Sequence, residues 1–197
     1  MPVAGWKQLA PVIFYTALVV CLIALTRGED FSWRQNVLSI GLGVLSWTLI
    51  EYGLHRFIFH YSPRSAFGRK VLYAAHLSHH ENPRATSRLF SSLVVSLPVA
   101  TAYLLVAWIV TGSLHAAAYL FAGLSAGYFC YEWLHFQAHH RRPRLRLLRY
   151  LRKYHLLHHY QTPELRFGVT SPLLDVIMGT FRPVRKRLTL GSHQTRV

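Results

Sequence analysis

The stretch LFSSLVVSLPVATAYLLVAWIVTGSLHAAAYLFAGLSAGYFCY, residues 89–131, runs for 43 residues without an Asp, Glu, Lys or Arg. As one helix it would be about 65 Å long, roughly twice the hydrocarbon thickness of a bilayer. It must therefore double back, and Thr111-Gly112-Ser113 is its strongest turn signal. The bend divides it into spans at about 89–110 and 114–131, with Pro98 a defect that membrane helices tolerate. Outward from there, residues 10–26 (APVIFYTALVVCLIALT) are uncharged, and residues 33–50 carry only Arg34 beside the interfacial Trp33. The first run has one basic residue ahead of it, Lys7, and no small-x-small cleavage site before Arg27, which disfavours a signal peptide. The expected fold is all-α, one membrane-embedded domain over residues 1–197 with four transmembrane helices.

Net charge is +15, from 22 Lys and Arg against 7 Asp and Glu. A surplus of that size raises nucleic acid first, but its distribution argues otherwise. Four spans place both termini and residues 52–88 and 132–197 on one side. That side holds twenty of the basic residues, and only Arg27 and Arg34 lie on the other. The positive-inside rule makes the shared side cytoplasmic, and the basic residues then face anionic lipid head groups, with no nucleic-acid partner expected. Cys21 and Cys130 are too few for a disulfide framework and are expected as small buried hydrophobes.

Of thirteen His, only His115 falls within a span. Ten of the others form four clusters: His55 and His60; His76, His79 and His80; His135 and His139; His155, His158 and His159. Helical neighbours at i, i+3 and i+4 share a face, so each triplet is expected to converge, as is the pair at 135 and 139. His55 and His60, about 140° apart on a regular helix, are expected to serve different metals unless the helix ends between them. Ten imidazoles exceed one zinc site and suit two metals with about five nitrogens each. Imidazole favours iron, copper, nickel or zinc, and the scarcity of carboxylates makes magnesium and calcium poor candidates. His115, His140 and His193 are expected to be ordinary polar residues. Glu51 and Glu132, one turn before His55 and His135, are candidate acceptors for ligand N–H groups, or else helix-end carboxylates paired with water or Arg56. Glu81 and Glu164 carry the same ambiguity.

These clusters, with the flanking text Glu51-Tyr52-Gly53-Leu54-His55-Arg56-Phe57, Tyr131-Glu132-Trp133-Leu134-His135-Phe136 and a closing Phe167-Gly168-Val169-Thr170-Ser171-Pro172 followed by Asp175 and Gly179-Thr180, resemble the fatty acid hydroxylase and sterol desaturase superfamily. The boxes look most similar to fatty acid 2-hydroxylases. The resemblance covers about residues 45–181 and implies that His55, His60, His76, His79, His80, His135, His139, His155, His158 and His159 ligate two iron ions, which zinc can displace on purification. It also implies an oxidoreductase, an O2-dependent membrane monooxygenase that hydroxylates an unactivated C–H bond of a fatty acyl chain, free or lipid-linked. Relatives often carry a fused cytochrome b5 domain for which this sequence has no room, so the electron donor is expected to be a separate protein of cytochrome b5 or ferredoxin type. The basic residues near the boxes would dock it or hold a lipid head group. Phe57, Phe59, Tyr73, Trp133, Phe136 and Tyr154 are candidates for lining the acyl chain's path or, more ordinarily, for interfacial anchoring.

His spacing does not separate hydroxylation from desaturation or from a sterol or carotenoid-type oxidation. A non-catalytic membrane metal-binding or transport protein is the rival from another class. Transport would place polar ligands near the midplane of the spans, whereas His115, the one histidine within them, lies close to the opposite face. A zinc hydrolase is disfavoured because H-E-x-x-H is absent.

Overall fold

A computed structural model describes residues 6–28 and 32–184, and all regular structure among the described residues is helical. Helix α1 (Trp6–Leu25) is followed by α2 (Trp33–Gly53), which opens on a capping box: Gln35 N–H donates to Ser32 Oγ (3.3 Å) and Ser32 N–H donates back to Gln35 Oε1 (2.8 Å). Short helices α3 (Ala66–Leu72), α4 (Ser78–Glu81) and α5 (Thr86–Leu89) lead into α6 (Leu93–Thr111). The turn expected at residues 111–113 is present. Gly112 ends α6 at φ 65°, a left-handed position that suits glycine, and Ser113 Oγ accepts from Ala116 N–H (3.2 Å) to start α7 (Leu114–His140). Helices α8 (Arg146–Tyr160) and α9 (Leu173–Ile177) complete the fold.

Helix α7 is the axis of the molecule, with α2 along its length and α1, α6 and α8 around it. Its inner positions are small, Ala117, Ala118, Gly123, Ser125 and Gly127, all buried, so its neighbours approach closely. Tyr15, Trp47, Ala100, Phe121, Leu124 and Tyr128 fill the space between. The outward faces are apolar as well: Ile13 and Val20 on α1, Leu38 and Leu45 on α2, and Ile109 and Val110 on α6 are exposed. An apolar surface of this extent belongs against lipid. Among the described residues two helical stretches, Trp33–Phe59 and Thr86–Thr111, are long and apolar enough to cross a membrane, at mean hydropathies of 1.5 and 2.3; Leu9–Leu25 is apolar but shorter. Cys21 and Cys130 are exposed, correcting the expectation of burial: both lie on outward faces.

Two glycines of α2 test this packing. A Cβ on Gly43 would lie 2.1 Å from the Leu120 carbonyl oxygen and 2.9 Å from Gly123 Cα, whereas a Cβ on Gly41 meets nothing within 4 Å. Gly43→Ala is expected to destabilise the bundle by about 1–3 kcal/mol, the usual cost of overpacking. Gly41→Ala should melt at or slightly above the wild-type temperature in detergent. Equal melting temperatures for the two variants would contradict the close α2–α7 contact.

Candidate metal centre

Helix α2 does not stop at Gly53. It loosens into a π-helical turn, Leu54–Phe59, and breaks at His60 (φ −94°, ψ 8°). In π geometry the hydrogen bond runs from i to i+5, so residues five apart lie on one side. His55 and His60 are therefore neighbours, with ring centroids 5.1 Å apart, and belong to one group. This corrects the expectation that they serve different metals, which assumed 3.6 residues per turn. A second π-helical turn, Tyr73–Leu77, presents His76 ahead of α4, which carries His79 and His80. The end of α7 supplies His135 and His139, and α8 supplies His155, His158 and His159.

The ten rings form two groups of five, His55, His60, His76, His80 and His158 in one and His79, His135, His139, His155 and His159 in the other. Within each, one ligand atom per residue lies within 4.8 Å of all the rest. The triplets therefore do not converge on single centres. The i, i+4 pairs His76/His80 and His155/His159 stay together, while His79 and His158, about 100° from their immediate neighbours, cross to the opposite group. His80 and His159 stack at the boundary, centroids 4.0 Å apart.

The nitrogens are spaced for a metal. Nε2–Nε2 separations are 3.0 Å for His76 and His80, 3.2 Å for His79 and His139, and 2.9 Å for His139 and His155. Ligands at right angles on a metal with nitrogen bonds of about 2.1 Å would be about 3.0 Å apart. Nε2 of His55, His60, His135, His158 and His159 is buried with no hydrogen-bond partner, a condition buried polar atoms rarely tolerate without a ligand. Burial holds the imidazoles neutral: it lowers His60 to about 4, and with His140 nearby it lowers His79 to about 4. His80 falls to about 3 through burial and then the neighbouring His60 and His79, and His76, His155 and His158 are pushed well below the ordinary range by burial first and adjacent rings second. Neutral rings keep a lone pair free for coordination. The donor set fits two borderline transition ions such as iron or zinc.

Backbone carbonyls aim two of these rings. His55 Nδ1–H donates to the Phe167 carbonyl (2.5 Å) and His158 Nδ1–H to the Leu165 carbonyl (2.7 Å), which leaves each Nε2 facing the centre. Between those carbonyls Arg166 adopts φ 62°, a left-handed conformation unusual for a side chain of its size, so that both oxygens reach the histidines. Buried Asp175 fixes the turn by accepting from the N–H groups of Phe167 (2.8 Å) and Gly168 (2.9 Å) and from Thr180 Oγ1 (2.7 Å). Gly168 is obligatory, since a Cβ there would lie 2.1 Å from the Ser171 carbonyl oxygen.

The two glutamates are engaged elsewhere. Glu51 accepts from the N–H groups of Val169 (2.6 Å) and Thr170 (2.9 Å), the Thr170 hydroxyl (2.5 Å) and Trp47 Nε1–H (3.1 Å), so it anchors the loop whose carbonyls hold the ligands. Arg56 instead donates to the Tyr52 hydroxyl (2.7 Å). Glu132 accepts from Ser91 N–H (2.9 Å) and ties the entry of α6 to α7. Among the described residues neither accepts a hydrogen bond from a histidine, and Glu132 Oε2 is buried without a partner. Glu81 accepts from the Tyr73 hydroxyl (2.6 Å), and Glu164 is exposed. His115 bonds to Thr26 O (3.1 Å) and Asn36 Oδ1 (2.8 Å), and His140 stacks on Phe136; neither is a member of the two groups, and His193 lies outside the described residues. Beside His55 a narrow, mostly apolar cavity runs between the helices of the bundle. Of the six aromatics proposed for an acyl path only Phe59 lines it; Tyr15, Trp47, Phe121, Tyr128 and Tyr131 are the other aromatic walls.

A model of the family described as fatty acid hydroxylase matches residues 40–180. The chain is 35% identical over 172 residues to dihydroceramide fatty acyl 2-hydroxylase FAH2 of Arabidopsis thaliana, covering 85% of this chain and 70% of the relative. It is 42% identical over 152 residues to the ceramide very long chain fatty acid hydroxylase SCS7 of Saccharomyces cerevisiae, covering 71% of this chain and 37% of that one. A solved structure of full-length scs7p, in which only the hydroxylase domain is visible, superposes with a TM-score of 0.81 at 31% identity, over 90% of this chain and 67% of that one.

Replacing Glu51 separates loop anchoring from ligation. Glu51→Ala leaves the Val169 and Thr170 N–H groups unpaired and should cost about 1–3 kcal/mol. Thermal unfolding should show that loss, with weaker metal retention at the His55 and His158 group. Unchanged stability and metal content would refute the anchor.

Proposed function

The chain belongs to the fatty acid hydroxylase family, whose members are oxidoreductases of the monooxygenase type, and from that membership we propose that it hydroxylates the acyl chain of a membrane lipid at a dinuclear iron centre. The observation that carries this reading is the pair of five-imidazole groups, one of which contributes His55 to the wall of an apolar cavity. In this reading His55, His60, His76, His80 and His158 ligate one ion, and His79, His135, His139, His155 and His159 the other. When bound, the pair of irons supplies the redox chemistry by which O2 is activated toward an unactivated C–H bond. The balance is one C–H bond and one O2, with two electrons and two protons, giving an alcohol and one water.

The protein's residues then have defined tasks. The Phe167 and Leu165 carbonyls hold His55 and His158 in the tautomer that presents Nε2. The cavity wall of Trp47, Leu54, Phe59 and Tyr131 excludes bulk water and aligns a hydrocarbon chain against the centre. The chain is a single domain over residues 1–197 with four spans in α1, α2, α6 and α7, and the histidine groups and both termini are cytoplasmic. Supporting this are the outward apolar faces of α1, α2 and α6 and the concentration of Lys and Arg in residues 56–88 and 141–182. The acyl tail then points into the bilayer, and the reacting carbon lies near its polar end, in keeping with relatives named for 2-hydroxylation of dihydroceramide. Electrons come from a separate donor, and exposed Arg141, Arg142, Arg144 and Arg149 form a basic surface suited to an acidic one of cytochrome b5 or ferredoxin type.

Lipid analysis of a host making the protein should reveal acyl species heavier by one oxygen, and His80→Ala or His159→Ala should abolish them while the protein still inserts in the membrane. Species lighter by two hydrogens would mark a desaturase instead. Retained product in either variant would remove that residue from the ligand set.

A further inference from the structure

The cavity beside His55 reaches down between the helices as far as Tyr15, Ala100 and Phe121. From Tyr131, near the histidines, to Phe121, the deepest residue of α7 that lines it, is ten residues of helix, about 15 Å. That is half of the roughly 30 Å hydrocarbon core, or one leaflet. At that depth Tyr15 of α1 is wedged between Phe121 and Tyr128, edge-on to both, with ring centroids 6.1 and 5.9 Å away. Its hydroxyl donates to Ser96 Oγ on α6 (2.9 Å), so the ring is pinned across the space between α1, α6 and α7. Tyr15 and Phe121 are 3% and 1% exposed, and Ala100 completes the lower wall. Tyr15 also lies outside residues 40–180, the part matched by the family model.

We propose that Tyr15 and Phe121 are a floor that limits acyl length, so that the protein selects lipids whose chain beyond the reacting carbon ends within one leaflet. The inference rests on the acyl-hydroxylase reading and adds to it a substrate class. A chain that fits packs its terminal methyl against the two rings; a longer one must displace Tyr15, break its bond to Ser96 and open the α1–α6 contact. In a hydrophobic pocket each methylene too many or too few changes discrimination by about 10–200-fold. Tyr15 and Phe121 are specificity residues here, distant from the reacting atoms.

The test supplies a host with acyl chains of graded length and compares wild type, Phe121→Ala and Ala100→Leu. It reads the length distribution of oxygenated acyl products and of acyl lipid that co-purifies with each protein. Phe121→Ala should raise the ratio of longer to shorter chains about tenfold, the lower bound for one methylene. Ala100→Leu, which fills the same end, should shift both distributions toward shorter chains, and it carries the test alone if Phe121→Ala fails to accumulate. Oxygenated products whose lengths are the same in all three proteins would overturn the floor and leave the hydroxylase reading intact. Wild type without oxygenated acyl product would defeat that reading, and the co-purifying chains would still decide the floor: the same shifts support it and identical lengths overturn it.

Discussion

Ten imidazoles in contact, six of them buried and four partly buried, and all uncharged, dominate the physics of this protein. Rings at centroid separations of 4 to 5 Å, as for His80 and His159 or His55 and His158, cannot all carry protons without severe repulsion, and burial removes the water that would screen it. Kept neutral, each ring still has a lone pair to satisfy, and the unpartnered Nε2 atoms face one another across two small spaces. Much of the surrounding structure serves this constraint. Helix α2 gives up regular geometry over Leu54–Phe59 to turn His60 back toward His55, and Arg166 takes a left-handed conformation so that two carbonyls can reach Nδ1 atoms.

The apolar bundle and the histidine groups form one mechanical unit. Helix α7 runs unbroken from Leu114 to His140, so the rod that packs against Gly43 and Trp47 also carries His135 and His139. Glu51, Trp47 and Thr170 link the same bundle to the loop that aims His55 and His158. A change in helix packing deep in the bundle is thus transmitted to the histidines through rigid elements, and the cavity between α1, α2, α6 and α7 opens beside His55, where both meet.

Much of this was legible in the residues. The uncharged stretch over residues 89–131 required a reversal, and Gly112 marked it because glycine alone enters left-handed geometry without strain. The histidine spacings identified all ten members of the two groups and their equal division. The partition was hidden, because it depends on π-helical turns that a 3.6-residue period cannot anticipate and on neighbours such as His79 and His80 diverging around a short helix. The orienting groups were hidden for a different reason. Two are backbone carbonyls, which have no side-chain signature, and Glu51 finds its partners 118 and 119 residues away. Cys21 and Cys130 are exposed because apolar residues of a bundle in lipid face outward as readily as inward.

The central claim is that the ten histidines enclose two transition ions, five imidazoles to each. X-ray absorption on protein loaded anaerobically with ferrous iron, alongside metal analysis, tests it most directly. Two irons per chain, each with a shell of about five imidazole nitrogens, is the predicted result. One iron per chain in folded protein, or a shell dominated by oxygen ligands, would contradict it.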